Sequence, residues 1–352
     1  MGLLGYDLLS PPSTHEEIPA LPSLLMGDYR AFIHVDHRRQ LAELVMLAGH
    51  SGAKDDWLDL LAKAMHPPPK TGFTLTKAFQ PLTSRERYRN DVSRILDYLR
   101  AGDCYQVNYA QAFHARCSGS GAAAMERLLA LSQPVHAAWM CWPEGEVLSL
   151  SPELFLSVKD RHIITRPIKG TAPRHPDPVT DRQNLATLQA SSKNQAENLM
   201  IVDLLRNDLG QHAETGSVEV SQLFSPESLP QVHHLVSTVT ATLLQGSNVL
   251  DLIQDCFPGG SVTGAPKRRA MEIIAELEPT PRTVYCGSIG YINHDGDAEL
   301  NIAIRTLLRV GDDLYAWAGG GIVADSDWEA EYQECFDKMG AIMRALEDGG
   351  RQ

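Results

Sequence analysis

The chain has 352 residues, 43% hydrophobic and 21% charged, the balance of a soluble globular enzyme built as one large domain or two small ones. Its formal net charge of −13 disfavours non-specific binding to nucleic acid or to a membrane surface. An anionic substrate would therefore need local positive charge, from a metal or from a few cations.

The opening MGLLGYDLLSPPSTHEE lacks the basic-then-apolar order of a signal peptide. In the first 82 residues Pro11, Pro12, Pro19 and Pro22 predict an extended loop, residues 29–35 and 44–47 predict strands, and Pro67-Pro68-Pro69 predicts a rigid surface loop or a linker. Thr83-Ser84-Arg85-Glu86 has the form of a capping box and opens a helix with Tyr88, Val92, Ile95, Leu96 and Leu99 on its apolar face, stopped by Gly102. Residues 104–110 alternate like a half-buried strand, with Gln106 and Asn108 on one face as a solvated edge or as the lining of a pocket. A helix over 122–131 and strands over 135–140 and 147–150 follow.

Residues 151–174, SPELFLSVKDRHIITRPIKGTAPR, are the most informative stretch. Glu153 precedes a short apolar strand, and a second strand, 162–166, delivers Lys169 into a turn over 167–171 punctuated by Pro167 and Gly170. Lys169 reads as a nucleophile with Glu153 across a hairpin as its acid partner, or as a surface lysine on a loop.

A long helix over 181–209, ended by Gly210, carries Met200, Ile201, Leu204 and Leu205 on one stripe together with Glu197. A carboxylate on that stripe must be paired, hydrogen-bonded, protonated or metal-bound, unless it merely sits near the helix start. Strands are expected at 218–223 and 233–243, with His233 and His234 on opposite faces. Residues 257–267, FPGGSVTGAPK, form a glycine-rich loop that opens a helix at Pro266. It has no Gly-Lys-Ser/Thr, so its predicted use is close approach of backbone to a small ligand or a strand. Strands follow at 285–292 and 300–310 around a turn at 294–297. Arg305, among Ile302, Ile304 and Leu307, is an edge charge or a carboxylate clamp. A strand at 314–318 precedes a turn of Gly319, Gly320 and Gly321, and Ser326 with Glu329 boxes the start of the final helix. Glu331, Glu334 and Lys338 share a flank of that helix, as a solvated i,i+4 pair or as a metal carboxylate with a cation beside it.

The six cysteines are scattered with no C-x-x-C pair and no zinc spacing, which fits a reducing compartment. No run of about 18 uncharged apolar residues occurs, so no membrane span is predicted and the expected location is cytoplasmic.

Taken together GDCYQVNYAQ, LSPELF, TRPIKGTAPR, AENLMIVDLLRNDLG, HHLVS, FPGGSVTGAPKRRAMEII, YCGSIGYI, NIAIRTL and AGGGIVADSDWEAEYQE resemble the chorismate-utilising enzymes, the family of anthranilate, isochorismate, salicylate and aminodeoxychorismate synthases. The resemblance spans residues 83–347. Anthranilate synthases carry PIAGT where this chain has PIKGT, so Lys169 points to the aminodeoxychorismate branch. Isochorismate and salicylate synthases carry a water-activating lysine where this chain has Gln106, which disfavours hydrolytic chemistry.

The resemblance implies an α+β fold, an anthranilate-synthase-like sandwich of two antiparallel sheets with helices outside. It implies one structural domain: a catalytic core over 83–352, with 1–82 as the remnant of an N-terminal region that is longer in relatives, so that their tryptophan pocket would be incomplete here. It implies that Lys169 attacks C2 of chorismate while Glu153 protonates the departing C4 hydroxyl, and that ammonia then adds at C4. Glu197 and Glu334 would hold Mg²⁺, with Glu331 nearby and Lys338 assisting. Tyr285 and Arg305 would take the enolpyruvyl carboxylate, and Gln106, Gly170, Thr171, His234, Gly320 and Gly321 would line the pocket. No glycine-flanked cysteine nucleophile is evident, so ammonia would come from solution or from a glutamine amidotransferase subunit. The rival readings are component I of anthranilate synthase and a non-catalytic relative.

Chorismate is a dianion, and Mg²⁺, Arg305 and Lys338 would supply the local positive charge that a −13 protein otherwise lacks. Attack requires a neutral amine, and at a pKa of ~10.4 only about one lysine in 2,500 is neutral at pH 7. Burial must therefore shift both Lys169 and Glu153.

Overall fold

The computed structural model describes residues 1–9, 18, 22–49, 54–64 and 71–348. In chain order the elements are β1 (Gly2–Leu4), β2 (Leu24–Met26), β3 (Ala31–Asp36), β4 (Leu41–Met46), α1 (Lys54–Ala64), β5 (Phe73–Pro81), α2 (Arg85–Ala101), β6 (Gln106–Gly119) and α3 (Gly121–Leu131). Next come β7 (His136–Trp142), β8 (Gly145–Ser151), β9 (Leu154–Lys159), β10 (His162–Arg166), β11 (Ile168–Pro173), α4 (Pro178–Ala190) and α5 (Ser192–Gly210). The C-terminal half adds β12 (Glu219–Ser228), β13 (Val232–Thr242), α6 (Val249–Cys256), β14 (Gly264–Ala265), α7 (Lys267–Leu277), β15 (Ser288–Ile292), β16 (Ala298–Asn301), β17 (Thr306–Val310), β18 (Asp313–Ile322) and α8 (Trp328–Asp348).

Two antiparallel sheets result. The larger runs β11-β13-β10-β9-β16-β15-β1-β2, with β12 also on β13, and the smaller runs β14-β6-β18-β17-β8-β7, with β5 also on β6. The period of two along each strand sorts side chains between two cores. On β6, Ala110 and Ala112 face the larger sheet while Tyr109, Phe113 and Ala115 join the opposite core. On β18, Tyr315 and Trp317 face the first core and Leu314, Ala316 and Ala318 the second. The first core lies between the sheets, with Phe155, Ile163, Val239 and Leu300 from the larger one and Val202 and Leu252 from α5 and α6. The second holds α2, α7 and α8 against the smaller sheet through Tyr88, Ile95, Ile273, Cys335 and Met339. The α+β sandwich with helices outside is thus the fold.

The chain changes sheets twice at one place. It leaves the smaller sheet at the end of β8 and enters the larger at β9, with Glu153 in between, and it leaves the larger at β16 and returns at β17, with Arg305 in between. The two crossings run side by side, joined by Ser151 Oγ donating to the Ile302 carbonyl at 2.6 Å, Ile302 N–H to Glu153 O at 3.0 Å and Leu150 N–H to Arg305 O at 3.1 Å. Two of the candidate site residues, Glu153 and Arg305, therefore lie where the sheets exchange strands.

Several elements depart from the sequence reading. Residues 167–171 do not form a turn: Ile168–Pro173 is a strand, because its backbone finds β13 as a partner. The segment expected as one helix over 181–209 is two, broken at Ser191, which ends α4 and caps α5 through its hydroxyl. Ser84, not Thr83, caps α2, and Asp327, not Ser326, accepts from the Glu329 and Ala330 N–H groups at the start of α8. Pro266 precedes α7 as its cap residue. The strand expected over 300–310 is divided at the second crossing, where Arg305 has φ +51°, and Tyr285 lies in a turn before β15. Gly319, Gly320 and Gly321 are strand, not turn.

Strands β1 and β2 extend the larger sheet, and β5 pairs with β6, so N-terminal residues are part of both sheets. Among the described residues strands β3 and β4 pair only with each other, and α1, absent from the sequence reading, buries none of its residues. Pro11, Pro12, Pro19 and the run Pro67-Pro68-Pro69 lie outside the described residues. Among the described residues no helix is long and apolar enough to cross a membrane.

Candidate active site

Lys169 is aimed by a bulge. Between Ile168, opposite Val236, and Thr171, opposite His234, β11 spends one residue more than β13, and Gly170 absorbs the kink at φ +88°. A side chain at Gly170 would also press on Asn194 and Leu188, each 3.0 Å from the position of a β-carbon. The Lys169 ammonium donates to the Ser261 carbonyl at 3.0 Å, so the glycine-rich loop does bring its backbone to a neighbouring functional group.

Glu153 is 4% exposed and meets the same loop, through a hydrogen bond to the Ser261 side chain, with the Ile168 backbone as a second partner. Burial pushes its pKa up against the opposing pull of Ser261 and Lys169. Burial also pulls Lys169 down, opposed by Glu197 and Glu153. The two shifts move towards each other, as an acid and a nucleophile both used near neutral pH require. Beside Glu153, Phe155, Leu205, Gly260 and Ile302 line a small cavity with about 10 Å³ of room for the centre of a water, enough for one molecule.

A carboxylate group faces Lys169 from two helices. Glu197 projects from α5, and Glu331, Glu334 and Lys338 from α8. Lys338 Nζ reaches Glu334 Oε1 at 2.6 Å and the Gly319 carbonyl at 2.8 Å. Glu331, 3% exposed, accepts from Ser326 Oγ at 2.7 Å. Lys193, one turn before Glu197, lies 3.9 Å from Glu197 and 3.7 Å from Glu331. Burial raises Glu197 and Glu331; it would raise Glu334 too, but Lys338 outweighs it and holds that carboxyl below its usual value. Among the described residues no three His, Cys, Asp or Glu side chains converge on a single point.

The glycines of β18 make room for this arrangement. A β-carbon at Gly320 would lie 3.0 Å from a Glu331 oxygen and 3.3 Å from a Glu334 oxygen. At Gly321 it would lie 2.6 Å from the Gln106 amide nitrogen, and at Gly319 it would strike the Tyr109 carbonyl at 2.2 Å. Gln106 is fully buried, and both atoms of its amide lack a hydrogen-bond partner, so the pair of amides on β6 is pocket or core and not a solvated edge.

The second pole is cationic. Arg305 has no ion-pair or side-chain hydrogen-bond partner among the described residues, and burial lowers its pKa. His234 Nδ1 and Thr171 Oγ1 share a hydrogen bond at 3.0 Å, and Nε2 has no partner among the described residues, although the residue is 2% exposed. Burial and then the Arg305 charge push His234 down to about 4, which keeps it neutral. His233, on the opposite face, pairs with Asp181 and Ser228 and stands apart. Tyr285 packs its ring parallel to Trp317, near the guanidinium of Arg282. The sequence reading missed Lys193 and Ser261. The first stands four residues before Glu197, the spacing of a helical ion pair, and so was open to detection; Ser261 carries no such signal.

A family model described as chorismate binding enzyme matches residues 1–344. The chain is 46% identical to aminodeoxychorismate synthase component 1 of Escherichia coli (strain K12), over 99% of this chain and 76% of that protein. It is 35% identical to anthranilate synthase component 1 of Thermus thermophilus, over 98% and 77%. Its structure is similar to that of anthranilate synthase component I from Streptococcus pneumoniae, with TM-score 0.87, 30% identity and coverage of 97% and 80%. The menaquinone-specific isochorismate synthase of Escherichia coli shares the fold, with TM-score 0.79 at 24% identity over 98% and 78%.

Proposed function

The chain belongs to the chorismate-binding enzymes, and we propose that it works as the first component of an aminodeoxychorismate synthase, turning chorismate and ammonia into 4-amino-4-deoxychorismate through a covalent adduct on Lys169. The observation that carries this reading is the lysine in the bulge, half-buried beside Glu153, with Ser261 next to both. An alanine there, as in PIAGT, would leave Glu153 without its nucleophilic partner.

The reaction balances as follows. The neutral Lys169 amine forms a bond to C2, both ring double bonds shift by one position, and the C4–O bond breaks as Glu153 gives its proton, releasing water. Ammonia then bonds to C4, both double bonds shift back, and the C2–N bond breaks to return the Lys169 amine. Glu153, left as a carboxylate, takes the extra proton from the new ammonium. With ordinary pKa values of 10.5 and 4.5, neutral Lys169 beside protonated Glu153 would be about a one-in-a-million state. Each unit by which burial narrows that gap raises the productive fraction about tenfold.

Arg305 and the free Nε2 side of His234 form the cationic and polar end that suits a carboxylate of the substrate. Gln106, lacking a base, has no means of activating water. Glu197, Glu331 and Glu334 offer only oxygen donors, beside a glycine that leaves space, and a lysine ammonium already lies between two of them; the chemistry of these donors suits Mg²⁺, around which their side chains would have to draw together. Bound there, Mg²⁺ would supply the charge that grips the ring carboxylate, and Lys338 would fix Glu334. Ammonia is inferred to come from a glutamine amidotransferase component, and the product to serve para-aminobenzoate and folate synthesis in the cytoplasm. Mass spectrometry of the products formed from chorismate, ammonium and Mg²⁺ tests the reading: aminodeoxychorismate without pyruvate supports it, and anthranilate with pyruvate overturns it.

A further inference from the structure

Lys193 has a placement that its own helix does not explain. It is the second residue of α5, whose N-terminus is the positive end of the helix dipole, where a cation is disfavoured. Its pairing with Glu197 also runs lysine first and glutamate four residues on, the weaker orientation of that pair. Yet its ammonium lies 3.9 Å from Glu197 and 3.7 Å from Glu331, carboxylates on different helices that are 16% and 4% exposed. Both distances are longer than a hydrogen bond, and the Lys193 side chain is 55% exposed, so the contact is a charge contact with water within reach.

We propose that Lys193 is a resident counter-cation: it holds the Glu197 and Glu331 carboxylates together before a divalent ion binds, and it yields its place when that ion enters. This rests on the metal reading of the same carboxylates given above. A lysine ammonium and a divalent ion cannot share the space between the two carboxylates, because like charges repel strongly at that separation. The long, half-exposed stem lets the ammonium swing to solvent while the helix stays in place. The carboxylates are thereby kept paired in the free enzyme, and the first divalent ion to enter must compete for them.

The test uses the full chain without turnover. Mg²⁺ binding measured by titration calorimetry in the absence of chorismate should be about tenfold tighter in Lys193→Met than in the wild type. In EDTA the variant should melt at a lower temperature than the wild type, and Mg²⁺ should close that difference. In the wild-type protein, acetylation of Lys193 by acetic anhydride, read by peptide mass spectrometry, should become severalfold faster when Mg²⁺ replaces EDTA. This last measurement needs no variant to fold. Unchanged affinity in the variant, or labelling of Lys193 that is indifferent to Mg²⁺ in a protein that binds Mg²⁺, would overturn the proposal. A wild-type protein that binds no Mg²⁺ even with chorismate would overturn the metal reading itself, and Lys193 would then have no ion to yield to.

Discussion

Ser151 donates a 2.6 Å hydrogen bond to the carbonyl of Ile302, one of three hydrogen bonds that join the two sheet crossings. Glu153 stands two residues beyond the donor and Arg305 three beyond the acceptor. The candidate acid and the candidate cation therefore both sit on segments that this fully buried serine helps to hold.

Ser151→Ala removes one of the donors to the Ile302 carbonyl, which keeps the Ile304 N–H at 2.7 Å, and leaves the Glu153 N–H without its acceptor. The expected cost is about 1–3 kcal/mol of stability. Chemical denaturation measures it, and kcat/KM for chorismate should fall with it because both functional ends shift. A variant with unchanged stability and activity would separate the crossing from the site.

Two of the glycines of β18 should respond differently. Gly319→Ala meets the Tyr109 backbone carbonyl, which cannot move aside, so the smaller sheet should lose about 1–3 kcal/mol or fail to form. Gly320→Ala meets the ends of two glutamate side chains, which can give way. It should fold with near-normal melting temperature while Mg²⁺ affinity falls. Calorimetry on both variants distinguishes them.

His234 predicts a pH dependence of stability. Its folded pKa of about 4 lies below the unfolded value of 6.5, so the unfolded chain binds the proton more readily. The stabilising contribution is complete above pH 6.5 and is lost as pH falls towards 4, by up to roughly 3 kcal/mol over about 2.5 units. Melting temperatures of wild type and His234→Gln should converge towards pH 4 if the variant folds as the wild type does.

Glu153→Gln should lower kcat by about 10²–10⁴-fold. The profile of kcat/KM against pH should also change shape. In the wild type it falls on the acid side as Lys169 is protonated and on the alkaline side as Glu153 loses its proton. The variant keeps the first requirement only, so its activity should rise with pH and level off. An alkaline limb that survives in the variant would assign it to another group.

The candidate site residues were legible because their types contradict their surroundings. A glutamate on the apolar stripe of α5 and a lysine between proline and glycine both stand out in sequence. Their roles came from the family resemblance and not from spacing. What stayed hidden depended on distant partners. Residues 167–171 look like a turn until β13, some sixty positions on, supplies the backbone groups that make them a bulged strand. The triple glycine likewise looks like a turn, whereas it is a strand with no side chains because Gln106, Tyr109 and two glutamates fill that space. Arg305 looked like part of a continuous strand, since apolar alternation runs through the sheet crossing without a local mark. The amide face of β6 was open in sequence; in the fold β14 and β18 pair along the two edges of the strand there, and Gln106 and Asn108 are buried.

The most direct test of the account is the covalent state of Lys169. The enzyme is mixed with chorismate and Mg²⁺ without ammonia, quenched in acid, reduced to peptides and weighed. The account predicts an increment equal to chorismate less one water on the peptide that contains Lys169, absent in Lys169→Ala, which should also have lost aminodeoxychorismate formation. Full activity in Lys169→Ala would contradict it.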